Sequence, residues 1–133
     1  MESTEIFLRG VWKFISDEEN TDWVDHIANM PSDSEPSGDD GTIIKEMLDK
    51  GVSKKTIARF AKIAGYETAF SILYHLGDPN ASYEGFPKDE KRIAWGLNTF
   101  DYETEEPLDD EITCPHEQLL GMDPCGRELR PPK

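Results

Sequence analysis

"KKTIARFAKIAGYETAFSILYHLGDP", residues 54–79, is the stretch whose reading decides the fold. Apolar residues recur at Ile57, Phe60, Ala61 and Ala64 and resume past Gly65 at Phe70, Ile72, Leu73 and Leu76, which is helical spacing. Gly77, Asp78 and Pro79 then supply a helix stop. With apolar residues almost all round, this helix is expected to be central and largely buried.

Upstream, "TIIKEMLD", residues 42–49, reads as a short helix with Ile43, Ile44, Met47 and Leu48 inward. "KGVS" ends it and restarts the chain, with Ser53 as N-cap. "PSDSEPSGDD", residues 31–40, holds only turn formers and acids and is expected to be a mobile acidic loop. Before it, Trp23, Val24, Ile27 and Met30 mark a helix that starts near Thr21 or Asp22 and stops at Pro31. Ile6, Val11, Trp12, Phe14 and Ile15 give the first segment an apolar side, although Gly10 weakens it by roughly 1 kcal/mol relative to Ala.

Downstream the period changes. Ile93, Trp95, Leu97 and Thr99 alternate with Ala94, Gly96 and Asn98, as a strand or hairpin requires. Pro115 to Met122 predicts a last helical turn or two with Leu119, Leu120 and Met122 inward, and residues 126–133 read as a loose basic tail. The expected fold is therefore one mainly α domain over residues 1–133, with about five helices and at most a small β-hairpin after residue 92. The alternative is an α+β domain in which residues 93–112 form two or three strands.

The chain of 133 residues has 28 acids against 14 bases, a formal charge of −14. Such a charge favours basic partners and disfavours nucleic acid and anionic membrane. The imbalance is uneven: residues 1–40 hold 11 acids and 2 bases, residues 41–92 hold 7 and 9, and residues 93–133 hold 10 and 3. Two cysteines are too few for a disulfide framework, no apolar run reaches membrane-spanning length, and the first twenty residues lack a secretory signal's basic start and cleavage site. A cytoplasmic protein with free thiols is expected.

Chemical motifs are weak throughout. Residues 42–64 superficially resemble a helix–turn–helix, but the charge balance opposes DNA binding. "DPNASYEGFPKD", residues 78–89, spaces oxygen donors like a calcium loop. It has Tyr83 where the turn demands Gly, however, and closes on Asp89 rather than Glu, so a capped turn is expected. Cys114, His116 and Cys125 are possible zinc donors without zinc spacing and read as two free thiols beside a surface histidine. Nucleophile elbow, phosphate-binding loop, dinucleotide fingerprint and zinc-protease motif are all missing. No enzymatic activity, cofactor or metal is expected.

What remains is "DYETEEPLDDE", residues 101–111, with seven carboxylates and no base. Asp101, Glu103, Glu105, Glu106, Asp109, Asp110 and Glu111 share one short tract with Trp95, Phe100 and Tyr102. Aromatic anchors with a carboxylate rim are what a surface needs to hold and steer a basic protein. We take these ten residues as the candidate partner-binding set; the bland alternative is a solubilising hairpin tip.

Small size, acid-rich ends and this tract together make the chain resemble the immunity proteins of bacterial toxin systems, such as contact-dependent inhibition and other polymorphic toxins. The resemblance is to a class that has no single fold. It implies a cytoplasmic, non-catalytic inhibitor that binds a basic toxin domain, often a nuclease, and blocks its active site with carboxylates in place of phosphates. Two other classes stay open: a DNA mimic occupying a nucleic-acid-binding protein, and an enzyme of unrecognised type.

Overall fold

The structure, a computed structural model, describes residues 2–31, 36–88 and 91–132. It is mainly α with one small antiparallel sheet. The elements are α1 (Ser3–Trp12), α2 (Asp22–Ala28), α3 (Asp40–Asp49), α4 (Lys54–Gly77), β1 (Leu97–Phe100), β2 (Pro107–Ile112) and α5 (His116–Leu119). Short 3₁₀ turns lie at Pro79–Tyr83 and Leu120–Met122. The chain gathers into two compact units, one of Ile15–Gly65 and one of Met1–Phe14 with Tyr66–Lys133.

In the Ile15–Gly65 unit, Val24 and Ala28 of α2, Ile44 of α3 and Ile57 of α4 form a buried cluster covered by Trp23, Ile27, Met47, Leu48 and Val52. The connection between α3 and α4 follows from its sequence. Gly51 sits at φ +88°, and the N–H groups of Gly51 and Val52 donate to the carbonyls of Leu48 and Met47, which closes α3 in a Schellman motif. Ser53 Oγ then accepts from Thr56 N–H at 3.1 Å and caps α4.

A buried acid also belongs to this unit. The Glu18 carboxylate meets Lys62 Nζ at 3.2 Å and Arg59 Nη1 at 3.4 Å, with Glu18 and Lys62 both almost fully buried. A buried carboxylate needs such partners, because an unpaired charge in the interior costs several kcal/mol.

In the other unit, Leu8 and Trp12 of α1, Leu73 of α4, Ile112 of β2 and Leu119 of α5 are buried. The Trp12 indole N–H donates to the Leu119 carbonyl at 2.8 Å, so a bulky ring is buried without leaving its polar atom unpaired. Tyr66, Phe70 and Tyr74 follow one another at i, i+4 along α4, with ring centroids 6.1 and 6.5 Å apart, and Trp12 stacks on Tyr66 at 5.9 Å. Burial, and secondarily the neighbouring Glu67 carboxylate, pushes the Tyr66 phenol above its ordinary pKa.

Several expectations need correction. Helix α1 ends at Trp12, so Phe14 lies outside it and is 93% exposed instead of facing inward, while Leu8 takes the buried place. Helix α4 is long but not buried all round: Phe60, Ile72 and Tyr74 are exposed, and Lys62 takes an inner position. The ladder begins at Leu97 rather than Ile93. Ile93 is held instead by Tyr83, whose hydroxyl accepts from its N–H and donates to its carbonyl, both at 2.7 Å.

Of the segment read as a mobile acidic loop, residues 32–35 lie outside the described residues. The segment read as a loose tail carries bonds of its own. The Asp123 carboxylate accepts from Leu129 N–H at 3.0 Å, and Arg130 N–H reaches the Arg127 carbonyl.

Candidate functional site

The acidic tract is a hairpin, and its first acid builds the turn. Asp101 Oδ1 accepts from the N–H of Glu103 (3.0 Å), the N–H of Thr104 (2.8 Å) and the hydroxyl of Thr104 (3.1 Å). Asp101 N–H donates to the Glu106 carbonyl and Glu105 N–H to the Asp101 carbonyl, both at 2.9 Å. Glu105 closes the turn at φ +59°, a left-handed conformation that costs a non-glycine residue of order 1 kcal/mol. The Thr104 N–H, then its hydroxyl and the Glu103 N–H, hold the Asp101 carboxyl below the usual range, because all three donors favour the charged form.

Register sorts the remaining side chains by face. Leu97 pairs with Ile112, which is buried, whereas Asn98 pairs with Glu111 and Phe100 with Pro107 on the opposite, outward face. The register shifts between Asn98 and Phe100, where Thr99 Oγ1 donates to the Asp110 carbonyl at 2.7 Å. Phe100 is 57% exposed, Tyr102 97% and Leu108 49%. Glu103, Glu105, Glu106, Asp109, Asp110 and Glu111 are all exposed, and none makes a side-chain hydrogen bond or ion pair among the described residues. The Glu111 side chain reaches Gly96, where an added Cβ would meet its Oε1 at 2.8 Å.

Trp95 is placed differently from the other aromatics. It is half-buried, its indole N–H donates to the His75 carbonyl at 3.3 Å, and its ring lies 5.0 Å from the His75 imidazole. It fastens the chain before β1 to the end of α4, leaving Phe100 and Tyr102 as the aromatics turned to solvent. Leu108 is an exposed apolar neighbour that the sequence reading passed over, although its place between Pro107 and Asp109 in the same tract was visible.

No ion pair among the described residues joins a base to a carboxylate of the hairpin. The ion pairs among the described residues join Lys50 to Glu46, Lys54 to Asp25, and Arg59 and Lys62 to Glu18, all within the Ile15–Gly65 unit.

The other candidate sites resolve into local structure. The Asp78 carboxylate accepts from Asn80 N–H at 3.1 Å and caps the 3₁₀ turn; Asp89 lies outside the described residues. Neither Cys114 nor Cys125 is in a disulfide, the Cys125 thiol donates to the Asp123 carboxylate at 3.2 Å, and the donor atoms of Cys114, His116 and Cys125 do not converge. His116 is not the surface histidine expected. Its ring packs edge-on against Phe70 at 5.5 Å and Tyr74 at 5.0 Å, with Nδ1 buried and unpartnered among the described residues. His75 is exposed, with Nε2 3.0 Å from Ser82 Oγ. No described helix is long and apolar enough to cross a membrane.

No family model, no curated protein and no solved structure matches this chain.

Proposed function

We propose that this protein is a non-catalytic immunity protein, a cytoplasmic inhibitor that binds and neutralises a basic toxin domain, a nuclease by the class it resembles, through the hairpin of residues 97–112. The observation that carries this reading is the composition of one exposed hairpin. Phe100, Tyr102 and Leu108 stand in solvent along the same hairpin as six carboxylates that have no hydrogen-bond or ion-pair partner for their side chains among the described residues. Aromatic and apolar groups supply the area that holds a complex together, and the carboxylate rim draws in a basic partner and sets its orientation. A solubilising tip needs the acids alone and gives no reason to expose a tyrosine almost completely.

The test is protection. The reading predicts a toxin domain encoded beside the chain; the two are co-expressed, and growth is compared with that of cells carrying the Phe100→Ala/Tyr102→Ala/Leu108→Ala variant. Protection by the wild type and its loss in the folded variant are expected. Capture of several unrelated DNA-binding proteins, with no protection, would overturn the reading in favour of a DNA mimic.

A further inference from the structure

Away from the hairpin, α1 and the turn that follows α5 enclose a cleft of about 520 Å³. Arg9 and Lys13 line it with Trp12 on one side, and Gly121, Met122 and Asp123 line the other. Ligand clefts typically span about 300–1,000 Å³ with a mostly apolar lining and a few charged groups. The two bases are four residues apart at the end of one helix, so they share a face.

They are the only bases in residues 1–40 of a chain with net charge −14, yet neither makes a hydrogen bond or ion pair among the described residues. Complementing the negative end of α1 would account for one base there. It does not account for two on the wall of a cleft that Trp12 and Met122 also line. The Asp123 carboxylate is buried and engaged by Cys125 N–H at 3.2 Å and Leu129 N–H at 3.0 Å, so these donors offset its charge. Glu5 lies one turn before Arg9 on α1 but forms no ion pair with it among the described residues, so the Arg9 and Lys13 head groups both remain available to a ligand.

We propose that this cleft binds a small organic anion, a carboxylate or phosphate monoester on a flat or apolar body. The anionic group lies between the Arg9 guanidinium and the Lys13 ammonium, and the body lies against Trp12 and Met122. Arginine suits such a group because its fork can donate two parallel hydrogen bonds to one carboxylate or phosphate.

The Trp12 indole N–H is the reporter and those of Trp23 and Trp95 are internal controls, read in ¹H–¹⁵N spectra during titration with phenyl phosphate, benzoate, inorganic phosphate and benzyl alcohol. Phenyl phosphate and benzoate are expected to shift the Trp12 signal saturably, with a dissociation constant of about 1 mM or tighter. Benzyl alcohol and inorganic phosphate should bind at least tenfold more weakly.

Arg9→Gln/Lys13→Gln keeps good helix formers and should weaken the organic anions at least tenfold. Gly121→Leu fills the cleft and should abolish the shift. A Cβ at Gly121 meets nothing within 4 Å, so the fold can accept that side chain. No saturable shift, equal binding of inorganic phosphate, or equal binding by the double variant would each overturn the proposal.

Discussion

Asp101 shows how much one side chain can decide. It was legible as an acid in an acidic run, but nothing in the run separated it from its neighbours. Its distinction is local geometry: a short side chain two and three residues before free N–H groups can turn the chain back on itself, as the longer Glu residues cannot. Its carboxyl should titrate below the ordinary Asp range in a carbon-detected NMR titration. A depressed native pKa contributes stability that is fully present above the unfolded value and is lost as pH falls through the native one. The hairpin turn should therefore loosen only in acid below the usual carboxylate range. Asp101→Ala should remove the amide-exchange protection of Glu103 and Thr104 at neutral pH, and Asp101→Asn should keep much of it. An ordinary pKa for Asp101 would contradict this account of the turn. Glu18 was invisible for a different reason: its partners Arg59 and Lys62 lie more than forty positions away, and no periodicity announces an ion pair of that span.

At the scale of elements, the helices were readable because their signals are local. Gly51, Ser53 and Gly77 mark ends that the backbone confirms, and the apolar spacing of residues 54–76 gave the longest helix. What spacing could not give was which face is buried, since α4 offers apolar groups on several sides and Phe60 and Ile72 end in solvent. Nor could it show where helices touch. At Gly41 of α3, an added Cβ would sit 2.8 Å from the Ile27 carbonyl oxygen and 3.2 Å from that of Ala28, so α2 and α3 meet through backbone. Gly41→Ala should therefore lower stability by about 1–3 kcal/mol, although alanine is the better helix former. Gly10→Ala in α1, with nothing within 4 Å, should raise stability by about 0.5–1 kcal/mol. Thermal melts of the two variants read both signs, and a neutral Gly41→Ala would show that the α2–α3 approach is looser than described.

For the whole molecule, the uneven charge was plain in the sequence, but its fate was not. Composition allowed the central bases either to fold onto the C-terminal acids or to leave them bare. Four of the nine central bases, Lys50, Lys54, Arg59 and Lys62, pair instead with Glu46, Asp25 and Glu18, and none of the hairpin acids has an ion-pair partner among the described residues. Under the proposed function, charge should set the rate of encounter with the partner and the exposed rings the lifetime of the complex.

The most direct test is stopped-flow kinetics with the cognate toxin domain that the proposed function requires, at two salt concentrations. The six unpaired carboxylates, Glu103, Glu105, Glu106, Asp109, Asp110 and Glu111, are changed to amides, with Asp101 kept because it holds the turn. That variant should associate more slowly and with a flatter salt dependence. Tyr102→Ala, which removes a side chain with no described ring contact in the protein, should leave association intact and raise the dissociation rate about thirtyfold, the equivalent of about 2 kcal/mol. An association rate unchanged after the loss of all six carboxylates would show that the hairpin is only a solvated tip and that the partner binds elsewhere.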